Sequence, residues 1–402
     1  MKVDKETILN SKPRLLFLVT EDWYFCSHRL PLAQAAIEAG YDVVVVTRVR
    51  EHAEAIRSAG IQLIPFEISR HGINPVTELL ALIRLARIYL RQRPQIVHHV
   101  ALKPIVLGSM AARLAGVPYK VNAVTGLGYV FTSKQTKARL LRPLMKRMLK
   151  FCMTQPGSHA IFQNPEDQDD VLKMGMGNIS STLVRGAGVD PVTFRERAES
   201  AGVPVVVLAA RMLRDKGVAD FVDAIKILKK RGIQFRAVLA GKPDDGSPDS
   251  IPERQLLEWH DSGVVEWWGH VTDMPGILAA SHIVCLPSTD REGIPKVLLE
   301  AAASGRPIVT SDIPGCREIV RHEVNGLLVP PRNAPALADA LMRLIEAPAL
   351  RKEFGHAGRK LVEAGFSLQR VHSAILNVYQ ECLTGNPPAG TKPAQPTVQI
   401  RD

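Results

Sequence analysis

VPVVVLAARMLRDKGVADFVDAI, residues 203–225, decides how the rest of the chain reads. Residues 203–210 are apolar without alternation. A short basic loop follows, and then Val218, Phe221, Val222 and Ile225 recur at helical spacing. An unalternated apolar strand is covered on both faces, and strand-then-helix is the repeating unit of parallel α/β architecture. Outward toward the C-terminus the same alternation continues through strands FRAVLAG (235–241), VVEWWG (264–269), HIVCLPS (282–288), PIVTS (307–311) and NGLLVP (325–330). Toward the N-terminus lies a complete earlier series: RLLFLVT (14–20), YDVVVVT (41–47), IQLIPF (61–66), QIVHHV (95–100), YKVNAV (119–124), HAIFQ (159–163) and STLVRG (181–186). Helical segments fall between, such as 31–39 and 75–92, the latter opened by Asn74-Pro75 and followed by Pro94.

Two Rossmann-like, doubly wound domains in tandem are therefore predicted, facing across a cleft. The first covers 1–190 and receives an acceptor; 191–202 is a linker; the second covers 203–366. A helix over 367–385 is expected to pack back on the first domain, and Pro-rich 386–402 to form a flexible tail. Ligands of such sheets sit beyond the carboxyl ends of the strands, so function is sought in the loops there.

The chain has 402 residues, 46% apolar and 5% aromatic, enough for two cores and incompatible with global disorder. No apolar run approaches the roughly 18 residues that span a bilayer. The N-terminus puts Asp4 and Glu6 ahead of its first apolar stretch and shows no small-residue cleavage site, so a soluble, intracellular protein is expected. Five scattered cysteines without a C-x-x-C pair argue against a disulfide framework or structural zinc.

The formal charge of +11 is not spread evenly. Residues 1–78 carry 9 basic and 10 acidic groups, whereas 79–165 carry 14 cations and no acid at all. The peak is SKQTKARLLRPLMKRMLKFC (133–152), seven cations interleaved with Leu, Met and Phe, which suits an anionic membrane surface. Pro143 is expected to kink or interrupt that helix. Nucleic acid is a poor alternative, because 132–150 holds no aromatic residue for base stacking.

Standard nucleotide signatures are missing. The turn after the first strand, EDWYFCSHRL, contains no glycine, Walker A is absent, and Gly126 and Gly128 in TGLGYVF lack a third glycine. Two other strand exits carry chemistry. In STDREGIPKVLLEAAASGRPIV (288–309), Glu292 stands before a helix that Pro295 is placed to begin, and Glu300 lies inside that helix. The helix start offers the amides of Ile294, Lys296 and Val297 to an anion. In the loop after 203–210, Arg211 and Lys216 flank a turn before a helix, a pairing suited to a diphosphate.

The order and spacing of Arg211 and Lys216 in R-x-x-x-x-K-G, of GHVTDMPGILAASHIVCLPS, and of Glu292 and Glu300 in E-x7-E resemble glycosyltransferase family 4 over about 130 residues. That resemblance implies the two-domain GT-B fold, a nucleotide-sugar donor, UDP-linked, and transfer with retention at the anomeric carbon. It implies that Arg211 and Lys216 hold the donor diphosphate and that Glu292, with the amides of Gly293 and Ile294, binds the transferred sugar. Glu300 would take the ribose hydroxyls, and Val271 would contact the base through its backbone. SHRLPLAQAAIEAGYDVVVVT, HHVALKPIVLGSMAARLAGVP and AVTGLGYVF are similar to family members that build lipid-linked oligosaccharides, O-antigen and capsule, including those acting on undecaprenyl diphosphate-bound saccharides. A polyprenyl diphosphate-linked acceptor and a peripheral position on the inner face of the cytoplasmic membrane are implied.

Transfer needs a stabilised leaving group and a proton acceptor for the attacking hydroxyl. Arg211, Lys216 and the helix start meet the first need without a metal, and no cofactor is expected. In retaining enzymes of this fold the leaving phosphate takes the proton, so Glu292 is read as a sugar ligand. Candidate acceptor contacts are His28, His98, His99, Lys103, Thr125, Gly126 and Gly128. His98 and His99 end a strand and must point to opposite faces. Asp167 and Asp169, just past Asn164-Pro165, read as helix-start charges. A sugar-nucleotide epimerase or a soluble-acceptor transferase are the alternatives on the same fold.

Overall fold

The computed structural model describes residues 12–68, 74–127, 131, 136–177, 179–244, 246–290 and 293–385. Glu292, Gly128, basic-segment positions 133–135 and the expected tail 386–402 lie outside them. The chain divides into two compact units, Met1–Val184 with His372–Asp402, and Arg185–Val371.

The first unit holds seven parallel strands: β1 (Arg14–Glu21), β2 (Asp42–Arg48), β3 (Gln62–Pro65), β4 (Ile96–Val100), β5 (Tyr119–Val124), β6 (Ser158–Phe162) and β7 (Ser181–Leu183). Their order is β3-β2-β1-β4-β5-β6-β7, so the direction of winding reverses between β1 and β4. The interior of β1, an unbroken apolar run, is buried, and so is the whole of β4, including its two histidines. On one face Leu85, Ala86 and Tyr89 of the helix Pro75–Gln92 pack with Leu107, Ala111 and Ala112 of the helix Leu102–Ala115 over Leu16, Leu18, Val44, Val46 and Val97. Asn74 starts the former helix by accepting the Val76 amide at 3.0 Å, with Pro75 in its first turn.

The second unit holds β8 (Val205–Ala209), β9 (Arg236–Ala240), β10 (Glu266–Trp267), β11 (Ile283–Leu286), β12 (Ile308–Ser311) and β13 (Gly326–Val329). These too are parallel, ordered β10-β9-β8-β11-β12-β13, with the reversal between β8 and β11. One face carries a core of Phe221, Val222, Ile225, Leu337, Leu341 and Phe354; the other carries Leu298, Leu299, Ala302, Ile319 and Val362.

Three local expectations are corrected. Residues 185–202, read as a domain end and a linker, are built into the second unit. Arg185 donates to Glu318 at 2.8 Å, Val189 bridges to Ser367, and Arg359 donates to the carbonyls of Pro191 and Phe194. Glu199 is gripped by Arg351, a 5% exposed side chain, through three bonds of 2.8–3.1 Å. The helix Thr136–Met153 runs through Pro143, so of the two expected outcomes the proline does not interrupt it. The carbonyl that loses its donor belongs to Arg139, on an exposed turn open to solvent. Finally, Pro295 caps its helix instead of starting it, and the helix is Lys296–Ala303.

Candidate active site

Of the donor-side candidates, Arg211 and Lys216 lie just past the carboxyl end of β8, and Gly293 and Ile294 past that of β11, the two strands between which the second sheet reverses. After β8, Arg211 extends to Asp244, which accepts from its Nη1 at 2.5 Å. A single 3-10 turn, Arg214–Lys216, follows, and Gly217 closes it at φ 71°. A Cβ on Gly217 would collide with the carbonyl oxygen of Pro287, just beyond β11. Only glycine therefore lets these two loops approach, and the Thr289 amide then donates to the Asp215 carbonyl at 2.8 Å. Lys216 stands half-buried at the centre of this junction.

On the β11 side, Gly293 is half-buried, and Ile294 anchors the loop by packing among Leu298 and Leu299. Glu300 is buried, with Lys296 Nζ 3.1 Å from its Oε1. Burial pushes the Glu300 carboxyl above the ordinary range, while Lys296 pulls the other way. A desolvated carboxylate held by one ammonium is well suited to accept hydrogen bonds from sugar hydroxyls. The Lys296 side chain was not singled out from sequence; its signal was the i, i+4 Lys–Glu spacing at a helix start. Val271 is half-buried in the loop after β10, where Gly269 accepts from the Gly241 amide at 2.7 Å.

In the first unit the candidates separate. His99 is fully buried, its Nδ1 2.8 Å from Asn122 Oδ1 and its Nε2 3.2 Å from the Tyr89 hydroxyl. With both ring nitrogens engaged inside the core, His99 is structural rather than a ligand group. Burial, opposed by the Asn122 bond and reinforced by Lys120, lowers its pKa to about 4. Lys103 pairs with Glu78 at 2.6 Å. His28 stacks on Tyr24 with ring centres 4.2 Å apart. Thr125 and Gly126, the latter at φ 134°, turn the chain at the end of β5 and are half-buried. Asp167 is buried within its helix start, accepting from the Asn164 amide group at 2.8 Å.

His98 faces the other way, as strand alternation demands. It stacks on Phe17 and shares a 2.5 Å hydrogen bond, through Nδ1, with the Tyr379 hydroxyl. Burial first, then the charges of Arg29 and His99, hold its pKa well below 6.5. Its Nε2 has no partner among the described residues. Arg29 itself was missed by sequence reasoning. It lies between the helices Asp22–His28 and Leu30–Glu38, just after β1, and is 3% exposed. The signal was an arginine set directly before an apolar helix at a strand exit.

Comparison with known proteins gives this geometry a family. A profile described as glycosyl transferases group 1 matches residues 203–347, and one described as glycosyl transferase 4-like matches 14–155, together well over half of the chain. The N,N'-diacetylbacillosaminyl-diphospho-undecaprenol alpha-1,3-N-acetylgalactosaminyltransferase of Campylobacter jejuni is 28% identical over 80% of this chain and 87% of its own. A capsular polysaccharide biosynthesis glycosyltransferase of Staphylococcus aureus, CapM, is 24% identical over 89% of this chain and 95% of its own. In structure, the HepE protein of Anabaena, solved with UDP, superposes with a TM-score of 0.74 at 18% identity, covering 92% of this chain and all of that one. A sucrose-phosphate synthase of Thermosynechococcus elongatus superposes at 0.76, with 18% identity, 93% of this chain and all of that one covered. The chain belongs to glycosyltransferase family 4 and is a glycosyltransferase of the GT-B fold.

Proposed function

We propose that this glycosyltransferase moves a hexose or N-acetylhexosamine from a UDP-sugar to a polyprenyl diphosphate-linked saccharide, with retention at the anomeric carbon. The observation that carries the donor half is the junction of the loops after β8 and β11, with Arg211 and Lys216 on one side and Gly293 and the Lys296–Glu300 pair on the other. That junction lies where a doubly wound sheet admits a nucleotide. The acceptor half is supported by the name of the Campylobacter relative, whose substrate is an undecaprenol diphosphate.

The chemistry follows from charge. As the bond between the anomeric carbon and the diphosphate oxygen breaks, negative charge grows on that oxygen. Arg211 exchanges Asp244 for phosphate, Lys216 supplies a second cation, and the start of the helix Lys296–Ala303 adds its dipole. The proton of the attacking hydroxyl passes to the departing phosphate oxygen, so no protein nucleophile is needed. Glu292 holds hydroxyls of the transferred sugar, Glu300 those of the ribose, and Val271 lies by the base.

The protein works against the inner face of the cytoplasmic membrane through residues 133–152, and the charge there serves lipid, not nucleic acid. The helix Thr136–Met153 presents Leu140, 81% exposed, with Leu144 and Phe151 beside the exposed cations Arg139, Lys146, Arg147 and Lys150. Among the described residues no helix is long and apolar enough to cross a membrane.

Arg211→Ala or Lys216→Ala is expected to lower kcat/KM about 100-fold or more, since each removes a charge-assisted contact to the leaving group. Sugar transfer to lipid-linked acceptor by the folded variants at the wild-type rate would overturn the site. In liposome flotation, K146A/R147A/K150A is expected to lose binding to anionic vesicles; unchanged binding would overturn the membrane face.

A further inference from the structure

The first unit contains a buried cation with no partner among the described residues. Arg29 is 3% exposed, yet its guanidinium makes no hydrogen bond or salt bridge among the described residues, and its Nε is sealed from solvent. The two acids nearest in sequence are spent elsewhere. Asp22 accepts the amides of Arg50 and His52 at 2.6 and 3.0 Å, and Glu21 pairs with Arg48 at 3.1 Å. Unpaired burial of a guanidinium costs several kcal/mol, so a fold that retains one has an anion in view.

Three elements bring polar groups around that charge. β4 contributes His98, the C-terminal helix contributes His372 and Tyr379, and Arg29 precedes the nine-residue helix Leu30–Glu38. In the tautomer whose Nδ1 accepts from the Tyr379 hydroxyl, the ring carries its proton on Nε2, a buried donor without an acceptor among the described residues. Arg29 follows β1 and His98 lies on β4, the two strands between which the first sheet reverses. Just past β4, Ala101 adopts φ 76°, a left-handed conformation that costs a non-glycine residue about 1 kcal/mol or more and concentrates at ligand sites.

We infer that Arg29 and His98 Nε2 form an anion subsite of the first unit, and that its occupant is the diphosphate of the lipid-linked acceptor. The second clause rests on the proposed function; the first stands without it. The guanidinium fork matches phosphate oxygens in a bidentate manner, and the imidazole supplies a third, neutral donor. Neither group takes part in bond making. Their task is to hold the acceptor headgroup in one position on the first unit.

The test uses the full chain, with inorganic diphosphate as probe and saturating UDP present to fill the donor site. Wild-type Tm is expected to rise by about 3 °C at ten times the apparent Kd. Arg29→Met is expected to lose this rise while remaining at least as stable as wild type in anion-free buffer, where a purely structural arginine would leave the variant less stable. Arg29→Lys keeps the charge, loses the fork, and should show a reduced rise. Absence of the rise in wild type, its persistence in Arg29→Met, or its abolition by UDP would overturn the subsite. In transfer assays, Arg29→Lys should raise the acceptor KM about 10-fold with the donor KM unchanged. A changed donor KM instead would overturn the acceptor assignment. If the diphosphate rise held but wild type transferred sugar to no lipid-linked acceptor, the proposed function would fail and the subsite would stand.

Discussion

Gly217 tests whether the two loops of the donor site are held together by a close backbone approach. Gly217→Ala carries two costs. The left-handed φ of 71° disfavours any Cβ by about 1–2 kcal/mol. The new methyl must also overlap the Pro287 carbonyl oxygen, a backbone atom that cannot rotate aside, adding about 1–3 kcal/mol. A control isolates the second cost: Gly232 has φ 75° but no atom within 4 Å of its would-be Cβ. Gly232→Ala should therefore cost only the backbone share. With about 2–4 °C of Tm per kcal/mol for a unit of this size, a total near 3 kcal/mol lowers the second unit's Tm by about 6–12 °C, and Gly232→Ala lowers it by about half that or less. Because relief of the overlap moves Lys216 away from the β11 side, UDP affinity should fall about 10-fold in Gly217→Ala alone. Thermal unfolding and UDP titration read both effects. Equal destabilisation by the two substitutions, with UDP affinity intact, would refute the close-approach argument.

Further outcomes follow from burial and pairing. Glu300 has its carboxyl pKa raised by burial, so it contributes most to stability below the unfolded pKa and loses that contribution as pH rises through the raised folded value. Glu300→Gln should abolish this loss, matching or exceeding wild-type stability at pH 7 while weakening UDP binding; urea titrations at pH 4 to 8 check it. His159 is buried between Ser180 and Thr182, its pKa lowered to about 4 by burial. Its stabilising contribution is complete above pH 6.5 and is lost as pH falls toward 4, at most about 3 kcal/mol, and His159→Gln should flatten that acid limb of the first unit's stability curve. Arg351→Met leaves Glu199 and the carbonyls of Leu344 and Ile345 without their donor. A loss of about 3 kcal/mol, with new protease cutting within 191–202, is expected by melting and limited proteolysis.

Strand positions were legible because strands such as β8 are buried at every residue, and burial on both faces imposes an unbroken apolar run that few other elements share. The candidate donor loops could be proposed from sequence because Arg211 and Lys216 are polar groups just past a strand, where solvent-facing residues have no packing reason to be placed in that order. What sequence could not supply was depth. His99 is a core group because Gly108 allows its helix to ride directly over the imidazole; a Cβ there would strike the ring. Nothing local to His99 encodes that neighbour. Arg29 was unread for the complementary reason. An arginine before a helix is ordinarily a solvated charge, and only the three-dimensional assignment of Asp22 and Glu21 to other partners shows that neither of these neighbours balances it. The segment 185–202 misled because its polarity resembles a linker, whereas Glu199 and Arg185 pair with Arg351 and Glu318 and the Pro191 carbonyl accepts from Arg359 within the second unit.

The acid-free stretch 79–165 acquires a meaning from topology. The connections from β3 to β4, β4 to β5 and β5 to β6 all step across the sheet in one direction, and right-handed crossovers therefore set their helices on one face. The helices Pro75–Gln92, Leu102–Ala115 and Thr136–Met153 do lie side by side there, the middle one touching both others. Their outward surfaces carry Val76, Leu79, Leu80, Ile83 and Leu90 on the first, Leu114 on the second, and Leu140, Leu144 and Phe151 on the third, among exposed Arg84, Arg87, Arg91, Arg113, Lys146, Arg147 and Lys150. Cations alone would suit any polyanion. Large exposed aliphatic groups set between them gain nothing from a phosphate backbone in water but do gain from hydrocarbon beneath anionic headgroups. The cations on these helices thus mark one side of one sheet, and the aliphatic groups set among them are what favours the proposed lipid surface over a polyanion in water.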